Sequence, residues 1–347
     1  MYVHVFDYKG KILNDGWPAS RGGYRLGTGW MPPLSVGDIN NDGRLEVVSG
    51  SSQYPPGTER IIGPLDTCAY AWNYTGGLLE GWPVKCIDDG NGFGGLSSHA
   101  IVLSDLNNNG DLEIISTSSS GYIYVFDHHG KSLNGWPVHL DFENKFELGA
   151  SPSIMDINHD GLKEIVFIQN KNSSQILKIF NLFGNVIVDK EFSSLTFTDI
   201  LSGPIIADID KDNNQEISIL FPNYGVFIIK NNGILLNNLD NINNYIPFSL
   251  GIGDINNDGN LEFTYGEYIP YSDKSNLMVV NLKGDTLLNL KLNEDEWYHP
   301  SIGDINGDGM QDIVLSTKKG NLLAFDKDGN KLFEINLNSP SGSGVII

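Results

Sequence analysis

Residues 38–46 read DINNDGRLE, and five related copies of this nine-residue acidic stretch follow it along the chain. The other copies are DLNNNGDLE at 105–113, DINHDGLKE at 156–164, DIDKDNNQE at 208–216, DINNDGNLE at 254–262 and DINGDGMQD at 304–312. We number them loops one to six. A unit that recurs every 46 to 67 residues is typical of a repeat architecture.

Each loop offers side-chain oxygens at positions 1, 3, 5 and 9, which is the ligand chemistry that Ca²⁺ prefers. We expect position 7 to add its backbone carbonyl, and the usual glycine at position 6 to allow a left-handed backbone. The loops therefore predict up to six structural Ca²⁺ ions. The predicted ligands are Asp38, Asn40, Asp42, Arg44, Glu46, Asp105, Asn107, Asn109, Asp111, Glu113, Asp156, Asn158, Asp160, Leu162, Glu164, Asp208, Asp210, Asp212, Asn214, Glu216, Asp254, Asn256, Asp258, Asn260, Glu262, Asp304, Asn306, Asp308, Met310 and Asp312.

The acid that closes each loop distinguishes it from an EF-hand, which places a glutamate at position 12 between two helices. Here the acid stands at position 9 and apolar, strand-like residues follow it, so we predict loops at the tips of β-hairpins. The alternative is that turns rich in Asp, Asn and Gly occur in many β proteins without metal. Loop two has Asn109 at position 5, and loop four has Asn213 in place of glycine. We predict that all six bind and that loop two binds most weakly.

A second pattern, strand, tight turn, strand, stands between the loops. Its seven copies begin at Val3, Ala69, Ile123, Leu177, Val226, Leu277 and Leu322. One unit is thus four antiparallel strands in about 50 residues, which is the size of a propeller blade. Tryptophans in three GWP triplets, Trp17, Trp82 and Trp136, are interpreted as packing residues on the fourth, edge strand.

These units predict an all-β, seven-bladed β-propeller of four-stranded antiparallel blades, formed as a single domain over residues 1–347. The chain starts in mid-unit, so we expect a composite first blade made of residues 1–19 and 339–347. The other blades are expected to begin near residues 31, 98, 149, 201, 248 and 298. The alternative is a fragment of a longer array.

Charge excludes some classes of partner. The net charge is −21, and no cluster of Lys and Arg offers a surface for nucleic acid.

No stretch has the length of a transmembrane helix, and no signal peptide is visible. Because such loops suit the millimolar calcium outside cells, we expect a secreted or cell-surface protein whose targeting sequence is not in this chain. Further domains of a longer chain are also expected.

Two cysteines, Cys68 and Cys86, flank one of the predicted hairpins at similar distances from its turn. An even count and an oxidising compartment favour a disulfide between them. Two buried free thiols are the alternative.

The loops resemble the FG-GAP/VCBS class of calcium-binding propeller repeats, the fold of the integrin alpha-subunit head. The resemblance includes the residues that precede the loops, such as LGASP at 148–152 and SGP at 202–204. It implies calcium on one face of a propeller and ligand binding mostly on the other. Loops two and four depart from the consensus of this class.

The segments expected on the face opposite the calcium loops carry aromatic and arginine side chains, which binding surfaces often use. We therefore expect a recognition or adhesion module for a glycan or an extracellular protein. The alternatives are a lyase-like polysaccharide-active enzyme and a structural spacer. No constellation of nucleophile, base and acid is visible, so no catalytic residue is assigned. The candidate ligand-binding residues are Tyr24, Arg25, Trp30, Tyr54, Arg60, Phe93, Tyr268, Tyr271, Trp297 and Tyr298.

Overall fold

The computed structural model describes most of the predicted strands and all six acidic loops. The described residues are 34–50, 67–85, 101–118, 121–140, 151–171, 174–192, 203–221, 224–239, 246–268, 274–294 and 300–336, with positions 2, 3, 5, 11, 16, 17, 19, 20, 87 and 272. Every regular element among them is a β-strand. The chain divides into two compact units, residues 1–193 and 194–347.

The first unit contains a two-stranded pair and three four-stranded antiparallel sheets, which we number sheets one to three after the loops they contain. The pair is β1 (Tyr2–Val3) and β2 (Ala19–Ser20). Sheet one is β3 (Leu34–Gly37), β4 (Glu46–Gly50), β5 (Thr67–Trp72) and β6 (Val84–Lys85). Sheet two is β7 (Val102–Ser104), β8 (Glu113–Thr117), β9 (Tyr122–Phe126) and β10 (Val138–His139). Sheet three is β11 (Ser153–Met155), β12 (Glu164–Lys171), β13 (Ser174–Phe180) and β14 (Val186–Phe192).

The second unit contains sheets four to six, built in the same way. Sheet four is β15 (Ile205–Ala207), β16 (Glu216–Phe221), β17 (Gly225–Lys230) and β18 (Leu235–Leu239). Sheet five is β19 (Ile246–Gly253), β20 (Glu262–Tyr268), β21 (Ser275–Val280) and β22 (Thr286–Leu292). Sheet six is β23 (Ser301–Gly303), β24 (Asp312–Ser316), β25 (Asn321–Phe325) and β26 (Lys331–Asn336).

In each of these sheets the strands are hydrogen-bonded in chain order, so every connection inside a sheet joins neighbours. The second strands are buried on both faces; all five residues of β4, β8 and β24 are buried. This explains their unbroken apolar runs, because an alternating pattern would leave one face polar. The prediction of four-stranded antiparallel units is confirmed for sheets one to six.

The core lies between successive sheets of the same unit. Val48 and Ala71 of sheet one pack with Ile114 and Tyr124 of sheet two in one cluster. Sheets two and three share a cluster around Trp136. In the second unit, one cluster joins sheets four and five and another joins sheets five and six. Face-to-face packing of successive sheets thus covers strands that are apolar on both faces.

The GWP triplets differ slightly from their prediction. They do not lie within the fourth strand but directly before it: Trp82 and Pro83 precede β6, and Trp136 and Pro137 precede β10. Proline has no N–H to donate to a neighbouring strand, so it stands just ahead of the paired residues. Residues 337–347 lie outside the described part of the chain, so the composite first blade and the count of seven remain predictions.

Candidate metal centres

Each acidic loop connects the first and second strands of its own sheet. Loop one follows β3 and ends at Glu46, the first residue of β4. The acid at position 9 begins the second strand in all six sheets. A regular strand therefore fixes the last predicted ligand, while the others lie in the turn.

Backbone N–H groups of each loop hold the carboxylate at position 1. In loop three, the N–H of Gly161 donates to Asp156 Oδ2 at 2.9 Å, and the N–H of Asp160 donates to Asp156 Oδ1 at 3.1 Å. The bond from position 6 to position 1 is present in all six loops. Because a carboxylate oxygen has two lone pairs, these bonds orient position 1 and still leave it able to accept a cation.

The side chain at position 5 is oriented in the same manner. Its Oδ1 accepts the N–H of position 7 in every loop, at 2.8 to 2.9 Å. The Oδ1 of position 3 accepts the N–H of position 5 in every loop. Alternate side chains thus converge on one turn, as their spacing predicts.

Two positions of each loop have a left-handed backbone. Position 6 has φ between 67° and 96°, including Asn213 in loop four, which adopts the conformation without being glycine. Position 4 also has a positive φ in every loop, a feature that the sequence analysis missed. Its residues are Asn41, Asn108, His159, Lys211, Asn257 and Gly307. All of these except Lys211 belong to residue types that are enriched in this conformation.

The closing acids are the most unusual feature of the loops. Each has at most 2% of its surface exposed. One carboxylate oxygen accepts the backbone N–H of position 2, at 2.8 Å from Leu106 to Glu113 and 3.2 Å from Ile39 to Glu46. The same bond recurs in loops three to six. The apolar residue at position 2, visible in the sequence in all six loops, was not recognised as this anchor.

Burial raises the pKa of all six closing acids. The N–H donated from position 2 lowers each pKa again, and neighbouring carboxylates of the same loop raise it. A buried carboxylate beside other carboxylates is unfavourable unless positive charge is near. The loops therefore concentrate negative charge that the described side chains only partly balance.

The donor set fits a hard cation. A second oxygen of Glu46, Glu216 and Asp312 is buried without a hydrogen-bond partner among the described residues, as is Asp208 Oδ1. In loop three, the amide Nδ2 of Asn158 points between two carboxylates, 3.1 Å from Asp160 Oδ2 and 3.1 Å from Glu164 Oε1. The amide at position 3 thus donates N–H groups to the carboxylate oxygens that a bound cation would attract.

Loop four brings three acids together. Ligand oxygens of Asp208, Asp210 and Glu216 all lie within 4.8 Å of one another, which is the spacing that a shared ion needs. Loop two keeps the same hydrogen bonds although Asn109 replaces an aspartate. The bond from position 6 to position 1 and the bond from position 7 to position 5 are therefore common to all six loops, whereas loop four lacks the bond from position 5 to Asp208 Oδ1. The predicted ranking of their affinities stays a prediction.

In sheets one and two, the acidic loop contacts the tight turn between the third and fourth strands of its own sheet. Arg44 of loop one donates to the Tyr74 hydroxyl and lies 4.4 Å from the centre of its ring. Asp111 of loop two lies 3.3 Å from His128 Nδ1. Since both hairpin tips stand at one end of a sheet, the connections from strand two to strand three, and from strand four onward, leave from the other end.

Neighbouring loops of the first unit also touch. The N–H of Leu112 in loop two donates to the carbonyl of Ile39 in loop one at 3.1 Å. The N–H of Lys163 in loop three donates to the carbonyl of Leu106 in loop two at 3.0 Å. The loops therefore form a continuous hydrogen-bonded edge across sheets one to three.

Most of the candidate ligand-binding residues lie outside the described residues. These are Tyr24, Arg25, Trp30, Tyr54, Arg60, Phe93, Tyr271, Trp297 and Tyr298. The backbone of Tyr268 pairs with Ser275 at the end of the sheet opposite loop five. Cys86 also lies outside the described residues, so the disulfide stays a prediction.

The tryptophans of the GWP triplets are packing residues, as predicted. Trp17, Trp82 and Trp136 are 6%, 7% and 6% exposed. Each indole N–H donates to a carbonyl in the tight turn of the next sheet: Trp17 to Tyr74, Trp82 to His128, and Trp136 to Leu182, at 2.8 to 3.0 Å. The described residues include no helix that could cross a membrane.

Comparison with known proteins gives the fold of this arrangement. Residues 105–167 match the FG-GAP-like repeat family, a segment that spans loops two and three. No curated protein matches the sequence.

Solved structures resemble the chain at low identity. BamB from Moraxella catarrhalis is 13% identical over 90% of this chain and 79% of its own, with a TM-score of 0.56. BBS1N in complex with ARL6DN is 10% identical over 91% of this chain and 84% of its own, with a TM-score of 0.54. The Dos1 propeller is 12% identical over 89% and 73%, also at 0.54. These likenesses show a β-propeller fold, and the four-stranded sheets are its blades.

Proposed function

We propose that this β-propeller, which contains an FG-GAP-like repeat, is a recognition module that binds structural Ca²⁺ in its six acidic loops. The partner, a glycan or an extracellular protein, would bind at the opposite ends of the sheets. An FG-GAP repeat β-propeller fold suggests a protein-interaction module. No catalytic role is proposed.

One observation carries the calcium proposal: six buried closing acids at the ends of six acidic turns. Removing a carboxylate from water is unfavourable by several kcal/mol unless opposite charge compensates it. A second buried oxygen of Glu46, Glu216 and Asp312 has no hydrogen-bond partner among the described residues. A bound cation would accept these lone pairs and offset the repulsion inside each loop.

The kind of ion follows from the donor set. Carboxylates, carboxamides and a carbonyl are oxygen donors, which hard cations prefer over the nitrogen and sulfur ligands of zinc. The turn offers five candidate donor residues, and Ca²⁺ accepts six to eight oxygens in flexible geometry, including those of water. Mg²⁺ requires a stricter octahedron and retains its water.

The residues of the chain would position the ligands before an ion arrives. The N–H groups of positions 5 and 6 orient the first carboxylate, and the N–H of position 2 orients the closing acid. Bound Ca²⁺ would supply the positive charge that completes the cage. Because each loop joins two strands of one sheet, its ligands would tie those strands together.

Calcium also bears on location. Extracellular modules bind calcium at about 0.1 to 1 mM, a concentration found outside cells. We therefore propose a secreted or cell-surface protein. Six bound ions would add twelve positive charges to the net charge of −21, so that the loaded protein would still be acidic.

The first experiment measures melting temperature with EDTA and with millimolar Ca²⁺, and counts bound ions by native mass spectrometry. We expect up to six ions and a substantially higher melting temperature with calcium. Glu164→Gln keeps the acceptor for the N–H of Ile157 but removes a charge beside Asp160. It should therefore be at least as stable as wild type in EDTA and gain less from calcium.

The exposed Glu80→Gln variant is the control and should behave as wild type under both conditions. An unchanged melt on chelation, or no bound ion at millimolar calcium, would refute the structural role of calcium. A Glu164→Gln variant that loses stability equally in EDTA and in calcium would show that this acid only packs.

A further inference from the structure

The tight turn of sheet four differs from the same turn in the other five sheets. In those sheets its first residue is Asn or Asp, and the side chain accepts the N–H groups two and four residues later. These first residues are Asn73, Asp127, Asn181, Asn281 and Asp326. In sheet four the residue is Lys230, although the backbone bonds of the turn are the same. A lysine cannot accept those N–H groups.

The ammonium group of Lys230 instead approaches loop four. Its Nζ lies 3.6 Å from Asp212 Oδ2 and 3.8 Å from Asp210 Oδ2. About a third of the Lys230 side chain is exposed. The acids are the residues at positions 5 and 3 of the loop, so the lysine faces two predicted calcium ligands.

Loop four also differs from the other loops at position 3. The other loops have Asn there, and in four of them its Nδ2 donates to the carboxylate at position 5 or 9. Loop four has Asp210, which offers no N–H and adds a negative charge. It is thus the loop with four acidic ligands, against three in loops one, three, five and six.

The two differences compensate each other. Asp210 removes a donor and adds a charge, and Lys230 supplies donors and a positive charge at the same place. We propose that Lys230 is a tethered counter-cation of loop four, which supports the loop before calcium binds and lowers its calcium affinity. This inference rests on the proposed calcium binding.

The test replaces Lys230 in two ways. Lys230→Met removes the charge and keeps most of the side-chain length, whereas Lys230→Asn restores the residue type of the other turns. Both should increase the calcium affinity of loop four by about tenfold, because a unit charge no longer repels the divalent ion a few ångströms away. In EDTA, Lys230→Met should melt at a lower temperature than wild type, because the four acids lose their counter-charge.

Native mass spectrometry at buffered free calcium would count the ions bound to each variant. Asp208→Asn removes a charged ligand and should abolish calcium binding by loop four within the titrated range, which identifies the binding step that belongs to it. In a double-mutant cycle, the effect of Lys230→Met should vanish in the Asp208→Asn background. The matched control is Lys283→Met, a lysine in the corresponding turn of sheet five, which should leave every calcium step unchanged.

The outcomes separate this inference from the proposed function. If wild type binds calcium but Lys230→Met leaves the step of loop four unchanged, the role of Lys230 is refuted and the calcium proposal stands. If the effect persists in the Asp208→Asn background, Lys230 acts elsewhere and the inference is also refuted. If no variant binds any ion, both proposals fail.

Discussion

At the residue scale, buried carboxylates distinguish this chain, and two of them, Glu267 and Glu294, lie away from the acidic loops. Glu267 of β20 is 4% exposed and pairs across the sheet with Asn276 of β21, whose Nδ2 donates to Glu267 Oε2 at 3.2 Å. Burial raises the pKa of Glu267, and the bond from Asn276 lowers it. Asn276 Oδ1 is buried without a hydrogen-bond partner among the described residues. The Glu267 carboxylate and Asn276 Oδ1 are both acceptors, and neither can donate to the other. A neutral side chain that carries a donor would therefore fit better at position 267.

We predict that Glu267→Gln stabilises the protein at neutral pH by about 1 kcal/mol, because an amide can donate to Asn276 Oδ1 and carries no charge. A raised folded pKa means that wild type loses stability as pH rises from the unfolded value of about 4.3 through the folded value. The advantage of the variant should therefore be small at pH 4 and grow towards pH 8. Urea unfolding across this range, with Glu80→Gln as control, would measure it. A variant less stable than wild type at pH 8 would contradict the prediction.

Sequence reasoning at this scale identified the ligands but not what supports them. Positions 1, 3, 5 and 9 are visible because Asp, Asn and Glu recur there. The left-handed position 4 is not visible, because it is occupied by residues as different as His159, Lys211 and Gly307. The contact of Lys230 with loop four joins two hairpins, and no local pattern contains both.

At the element scale, sheets one and two each contact the next sheet through a glycine and the tryptophan that follows it. Gly135 lies so close to sheet three that an added Cβ would stand 1.9 Å from the carbonyl oxygen of Phe183. The next residue, Trp136, donates to the carbonyl of Leu182. The same close approach occurs between Gly81 and His129. The absence of a side chain allows two backbones to meet.

We predict that Gly135→Ala destabilises the protein by about 3 kcal/mol or more, because the methyl group must displace backbone atoms. The control is Gly284→Ala, since Gly284 has φ of 84° against 91° for Gly135 but meets only ordinary contacts. It should show the backbone strain alone, about 1 kcal/mol. Chemical denaturation of both variants in EDTA would separate the cost of the contact with sheet three from the cost of backbone strain. Equal losses would show that the contact with sheet three is unimportant.

The strands themselves could be predicted well, for a physical reason. Unbroken apolar runs bounded by acidic loops and tight turns allow one arrangement, a strand covered on both faces. The sequence predicts that the short outer strands β6 and β10 include the GWP triplets, because the triplets continue the apolar pattern. In the structure, pairing begins only after the proline.

At the scale of the whole molecule, the two ends of each sheet have different chemistry. One end presents the acidic loops, and the other gives rise to the long connections in which the candidate ligand-binding residues stand. The division could be predicted from antiparallel strands joined in order. The composite first blade stays a prediction, since residues 337–347 lie outside the described residues.

We predict that Trp30→Ala and Trp297→Ala weaken partner binding with little change in melting temperature, since aromatic residues on connections serve recognition. A glycan array and capture of extracellular proteins, both with calcium-loaded protein, would identify the partner. Trp136→Ala is the matched control and should lose several kcal/mol of stability, because its side chain is buried. Loss of stability in the first two variants would instead show that they only cover the sheets.

The bonds from the buried indoles have a direction that matters during protein synthesis. Trp82 and Trp136 each donate to a carbonyl that lies 46 residues later in the chain. On the ribosome, each tryptophan therefore emerges well before its acceptor, and a blade remains unsealed until the following one has been translated. Packing between neighbouring blades of the first unit can therefore be completed only after the later blade has been synthesised.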